Sequence, residues 1–285
     1  MPAHSNAVGV ELDVNNVDLT VRKALAYAAG IADITDQVFD DARDGGIIVP
    51  PPYCVSLEWP VVSGPASKSA YGMAADERVR GVHASQDSFF HRPIRPGMRL
   101  QTKGVVVGVR RARSGAHTTA KLLTTDRDSG EPIVTSWTTS IIRDVEVKGD
   151  DNQSEAPPAL PGSSGQIADQ VAIFIPREMP HSYTECADIW NPIHTEREVA
   201  LAAGLPDIIL HGTATWALAG REVVRRFCDG DPARLKRLYG RFTAMVIPGQ
   251  EIKVELEEPA DNAVGYTVYN HQGQAALSSG LAVID

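Results

Sequence analysis

His211–Cys228 reads HGTATWALAGREVVRRFC. Ala214, Ala217, Leu218, Val224 and Cys228 recur near i, i+3, i+4 spacing, while Arg221, Arg225 and Arg226 lie toward another face. That pattern predicts a long helix with one buried side. Downstream come three strand-like runs, Glu251–Glu257, Val264–His271 and Ala275–Ile284, separated by the turn signals PADN and QG. No helical pattern intervenes, so they predict an antiparallel meander. Upstream, Thr195-Glu-Arg-Glu198 fits a capping box, and Gly204 and Pro206 end the short helix that would follow it.

The same plan occurs earlier in the chain. YAAGIAD (Tyr27–Asp33) lies opposite YTECADI (Tyr183–Ile189), and GIIVPPP (Gly46–Pro52) opposite DIILHGT (Asp207–Thr213). IRPGMRLQTKGVV from Ile94 matches VIPGQEIKVELEE from Val246, and GEPIVTSW (Gly130–Trp137) matches GQAALSSG (Gly273–Gly280). Four pairs in one order predict a duplication. The first copy also closes on three strand-like runs, Arg99–Arg111, His117–Thr125 and Pro132–Arg143. Lys148–Gln166, KGDDNQSEAPPALPGSSGQ, has no periodicity and reads as a linker. The expected organisation is a repeat over 1–147, a linker over 148–166 and a repeat over 167–285. The fold class is α+β, with two curled antiparallel sheets each wrapping a long central helix.

Composition narrows the function. The chain has 285 residues, 43% of them hydrophobic, and a formal net charge of −9. That charge argues against nucleic acid as a partner, since phosphate neutralisation needs clustered cations. Three widely spaced cysteines, Cys54, Cys186 and Cys228, suggest neither a disulfide framework nor a zinc site. MPAHSNAVGVELDVNN at the N-terminus lacks a basic and then apolar leader, and no apolar run reaches membrane-span length. The expectation is a cytoplasmic protein with no membrane partner.

NPIH (Asn191–His194), ILHGTATWAL (Ile209–Leu218) and RFTAMVIPGQEI (Arg241–Ile252) together resemble the MaoC-like, or R-specific enoyl-CoA hydratase, family. VHASQDSFFHRPIRPGMRL (Val82–Leu100) is similar to the first half of its two-repeat members. The resemblance implies a double hotdog fold, usually a homodimer. It also implies a hydro-lyase of fatty acid metabolism: reversible syn hydration of trans-2-enoyl-CoA, or of an acyl-carrier-protein thioester, to the (3R)-3-hydroxyacyl product. Neither a metal nor a redox cofactor is implied.

Hydration needs a base for the attacking water, a proton for C2 and donors for the thioester oxygen, which becomes enolate-like. His194, before the expected helix start, would be neutral there and suits the base; the alternative is a residue packing at the helix entry. Asp188 is the candidate acid. Gly212 opens the long helix, and the resemblance implies that its amide forms the oxyanion hole; by itself it is equally an N-cap glycine. Asn191 hydrogen-bonds the acid or substrate, or makes an Asx turn before Pro192. His211 reads as structural, and Trp190 and Trp216 as core or pocket wall. Residues 221–241 hold seven cations against three acids. Arg221, Arg225, Lys236 and Arg237 are therefore candidates for the phosphates of CoA, or else a solvated helix face. Trp190 and Thr213 complete the substrate-contact set. In the first copy, at the offset aligning Ile47 with Ile208, Pro51 stands opposite Gly212. Proline has no N–H to give an oxyanion. The first copy is therefore expected to be catalytically silent and, by resemblance, to shape the acyl-chain cavity.

One departure stands out. The family pattern reads Gly-Asp-x-Asn-Pro-x-His, with one residue between Asp and Asn. Here Ile189 and Trp190 both separate Asp188 from Asn191. Asp188 serves only if the backbone absorbs the extra residue; otherwise His194 acts alone or with another carboxylate, Glu185 being nearest. A hotdog acyl-CoA thioesterase and a non-catalytic acyl-CoA-binding module remain as alternatives.

Overall fold

A computed structural model describes residues 2–285, which form two compact units. The first takes the chain up to Asp18, Leu57–Arg92 and Arg99–Ala159. Its antiparallel sheet runs in the order Asn15–Asp18, Arg99–Ala112, Gly115–Asp126, Pro132–Arg143, Gly81–Phe90. Gly115–Asp126 buries every second residue for most of its length, as a strand with one covered face must. The core gathers Leu12, Val61, Val106, Val109, Leu122 and Ile142. Val61 comes from the helix Cys54–Ser63. A Cβ on Gly104 would stand 2.9 Å from both Val61 and Leu122, so the absent side chain lets helix and sheet approach.

The second unit takes Leu19–Ser56, Pro93–Met98 and Leu160–Asp285. Its antiparallel sheet repeats the first unit's order: Ile167–Phe174, Glu251–Glu257, Ala263–Tyr269, Ala275–Ile284, Leu235–Phe242. The sheet faces the helix Gly212–Phe227, which is buried without interruption from Ala214 to Val224. Trp216 is wholly buried, and Gly240 makes room for it: a Cβ there would lie 3.2 Å from the indole. Gly220 admits Leu238 in the same way, with 2.8 Å to a hypothetical Cβ. A third close approach, 2.7 Å from a Gly30 Cβ to Cys186 Cβ, seats the helix Val21–Gly30 on the helix Met179–Ala187.

Four of the six anticipated strands match to within a residue or so at each end, and the others, Gly115–Asp126 and Ala263–Tyr269, differ by up to two. Leu235–Phe242 was read as part of a basic cluster. Its alternation is broken by register shifts between Leu235 and Arg237 and between Tyr239 and Arg241, which hide the two-residue period. Ile167–Phe174 and Gly81–Phe90 also escape periodicity, the former being only half-buried. Within Lys148–Gln166, Asn152–Gln153 pairs with Arg99–Ala112, and the chain beyond is almost wholly exposed. No helix among the described residues is long and apolar enough to cross a membrane.

Trp216→Ala removes the largest buried side chain of the second unit. It should destabilise that unit by about 3–5 kcal/mol, read as a fall in melting temperature.

Candidate active site

The helix Met179–Ala187 stops at Asp188, which adopts the left-handed conformation (φ 53°, ψ 36°). Its amide and that of Ile189 both return to the Thr184 carbonyl, closing the helix end. Pro192–His194 then forms a single 3-10 turn. Asn191 caps it by accepting from the Ile193 amide, so its side-chain oxygen is engaged in the Asx turn. The expected capping box does not form. Glu196, not Thr195, stands at the N-cap of the helix Arg197–Ala202, and the Thr195 hydroxyl donates to the Glu196 carboxylate instead. The 3-10 turn has taken Thr195 as its C-cap, the Thr195 amide donating to the Pro192 carbonyl.

His194 is therefore neutral for a different reason from the one anticipated. Burial pushes its pKa down to about 4, against the pull of the Ile209 carbonyl. Its Nδ1 lies 2.8 Å from that carbonyl. A carbonyl only accepts, so Nδ1 carries the proton and Nε2 keeps a lone pair. The ring stacks on His211, with centroids 3.7 Å apart and planes at 26°. His211 Nε2 meets the Thr184 hydroxyl at 3.2 Å, and burial followed by the charge of His194 pushes its pKa to about 2. His211, read from sequence as structural, is thus one half of the imidazole pair. The signal for it was its place immediately before Gly212.

Gly212 is the first residue of the central helix. The amides of a helix's first turn have no partner within it, so Gly212 and Thr213 present donors at this end. The glycine also has a packing reason, since a Cβ would come 2.8 Å from the Phe242 ring. Thr213 Oγ1 accepts from the Tyr183 hydroxyl at 3.1 Å.

Asp188 is not brought to this group. Its exposed carboxylate pairs with Lys23 Nζ at 2.6 Å, and among the described residues no carboxylate hydrogen-bonds either imidazole. The left-handed conformation at 188 is the one a glycine adopts most readily. Gapless register with the family pattern puts its Gly at 188 and its acid at Ile189, which is buried. The backbone does not absorb the extra residue. Glu185 is exposed on the preceding turn.

The cationic candidates are largely committed to internal partners. Arg221 is buried, paired with Glu222 at 2.6 Å, and donates to the Ile31 and Ala32 carbonyls at 2.7 and 3.0 Å. It holds the end of the helix Val21–Gly30, with four of its five N–H donors taken by internal acceptors. Arg225 bridges Glu222 and Asp33, and Lys236 joins the Ala233 carbonyl to Asp285. Arg237 is buried. Trp190 is mostly exposed, its indole N–H 3.4 Å from Glu196. Trp216 belongs to the core.

Comparison with known proteins places this arrangement. A model of the family described as "MaoC like domain" matches residues 177–276, and one described as "FAS1-like, dehydratase domain region" matches residues 6–136. The chain is 31% identical over 181 residues to "Probable enoyl-CoA hydratase 2" of Dictyostelium discoideum, 60% of this chain and 58% of that protein. It is 26% identical over 258 residues to "3-hydroxyacyl-thioester dehydratase Y" of Mycobacterium tuberculosis, 88% and 86% of the two chains. The match thus spans about six tenths of the length of the Dictyostelium relative and of a peroxisomal enoyl-CoA hydratase 2 of Arabidopsis thaliana. Among solved structures, a MaoC-like dehydratase from Phytophthora capsici superposes with a TM-score of 0.86 at 22% identity, covering 97% of this chain and 95% of that one. Residues 177–276 belong to the MaoC-like domain family, and the fold is the double hotdog.

Two outcomes follow from the site's electrostatics and backbone. Unfolded histidine titrates near 6.5, whereas folded His194 and His211 titrate near 4 and 2. Between those values the unfolded chain binds more protons, so stability should fall steadily as pH drops from about 6.5 toward 4. Thermal melts of the wild type and His194→Gln across that range check this, the variant showing the shallower slope. At position 188, Asp188→Gly should melt above Asp188→Ala by the equivalent of about 1 kcal/mol, because only glycine relieves the positive φ.

Proposed function

We propose that this chain reversibly hydrates trans-2-enoyl-CoA to (3R)-3-hydroxyacyl-CoA, with His194 as its one base. The observation that carries the reading is the His194 ring. It is neutral, its Nδ1–H is fixed on the Ile209 carbonyl, its Nε2 is left unprotonated, and the ring stacks on His211, the residue before the central helix. Water attacks C3 as Nε2 takes its proton. The electron pair of the C2–C3 double bond moves toward the thioester carbonyl, whose oxygen takes negative charge from C2. That oxygen accepts from the Gly212 amide, where the helix dipole favours an anion. The imidazolium then returns a proton to C2 on the face the water came from, which makes the addition syn. A carboxylate is not required for these steps, in keeping with Ile189 at the acid's position.

The relatives named as an enoyl-CoA hydratase and a 3-hydroxyacyl-thioester dehydratase support the reaction class. CoA or a carrier protein presents the thioester, and the protein works as a cytoplasmic homodimer. The first copy takes no part in the chemistry, because Pro51 opens the 3-10 turn Pro51–Tyr53 without an N–H to offer.

Crotonyl-CoA tests the reading. Loss of the enoyl absorbance without release of free thiol is expected; free CoA would instead identify a thioesterase, and binding without turnover a carrier module. His194→Ala should cut kcat by about 10²–10⁴-fold. Full activity in that variant overturns the assignment. Since the base must be unprotonated, kcat should stay level through neutral pH and fall as pH approaches about 4.

A further inference from the structure

The reaction above gives the thioester oxygen one donor, the Gly212 amide. The next residue carries a hydroxyl whose proton is unassigned. Thr213 is only half-buried, and its Oγ1 accepts the Tyr183 hydroxyl at 3.1 Å. A hydroxyl has one proton to give and two lone pairs to receive with. With a lone pair engaged by Tyr183, the Thr213 proton must point elsewhere, and among the described residues no acceptor takes it.

Tyr183 is well placed to impose that direction. It is wholly buried, with the His211 ring 5.0 Å away and the Tyr27 ring 6.1 Å away, so it cannot swing off Thr213. Burial raises its pKa, which keeps the phenol a donor. Behind it Tyr27, also wholly buried, has a hydroxyl that makes no hydrogen bond. Buried polar groups left unpaired are uncommon and costly. An unassigned hydroxyl proton and the free first-turn amides thus lie together at the start of the central helix, beside His211. Unpaired donors accumulated in this way fit an oxygen atom that arrives with the ligand.

We propose that the Thr213 hydroxyl, aimed by Tyr183, is a second hydrogen-bond donor to the thioester oxygen, beside the Gly212 amide. Thr213 touches the reacting group; Tyr183 acts through Thr213 and is a positioning residue. The proposal rests on the hydration reading for its role in turnover, but not for the contact itself.

The contact is measured with butanoyl-CoA labelled with carbon-13 at the carbonyl, whose saturated chain cannot take up water. Infrared difference spectra should show the carbonyl stretch shifted to lower frequency on binding the wild type. Thr213→Val, which keeps the shape and removes the donor, should lose part of that shift, and Thr213→Ser should restore it. With crotonyl-CoA, Thr213→Val should lower kcat about 10–100-fold with KM changed less than about threefold. Tyr183→Phe should lower kcat less, and the double variant should fall no further than Thr213→Val alone, as expected of residues acting as one unit. An unchanged stretch in Thr213→Val overturns the proposal, as does additive loss in the double variant. A shift that Thr213→Val reduces, in a protein that hydrates no enoyl thioester, upholds the contact and overturns the hydration reading. A wild type that leaves the stretch unshifted overturns the contact whatever its turnover.

Discussion

A buried helix is an electrostatic obligation. Its interior amides bond to carbonyls one turn back, but its first ones have nothing to bond to, and water is excluded. Gly212–Phe227 is buried from Ala214 to Val224, so those donors must meet a partner at the helix's entrance. The side chains there are themselves starved of water. His194 and His211 stay neutral because burial outweighs the carbonyl that pulls at His194, and their stacking makes a second proton harder to add. Neutral rings and uncapped amides arise from one cause. The neutral rings and the free amides are two aspects of one helix start.

The sequence announced the fold better than the site. Alternation along Gly115–Asp126 and the helical recurrence from Ala214 to Val224 are one-dimensional traces of one covered face, and they were legible. Leu235–Phe242 was not, because its register shifts break the period on which such reading depends. Around the proposed site, the 3-10 turn at His194 and the helix start at Gly212 lie where the residue types suggested a helix entry. His211 reads as structural from sequence, because its stacking on His194 is a ring–ring contact, which spacing does not express. Asp188 failed in the opposite way. Its chemistry is right for an acid, but its backbone conformation is the one a helix end demands.

Arg221 shows how charge misleads when counted along a chain. A run rich in arginine reads as a surface for phosphate, yet this guanidinium is folded inward onto Glu222 and two carbonyls of a distant segment. Taking one partner away would strand the other in a poor solvent for ions. The pair therefore serves to register the helix Val21–Gly30 against the central helix. The cations tethered to Asp33, Asp285 and Asp229 likewise help to close loops.

The second unit is discontinuous: it claims Leu19–Ser56 from near the start of the chain and everything after Leu160. The bond from Arg221 to Ile31 spans 190 positions, and that from Lys23 to Asp188 spans 165. Such contacts are slow to form, because the chain must close a very long loop before they repay the entropy. On a ribosome, Tyr27 and Ile31 emerge long before Gly212–Phe227 exists to cover them. The early segment must wait, apolar and unpartnered, until Gly212–Phe227 has been made. Its vulnerability to aggregation is then a matter of synthesis rate as much as of final stability.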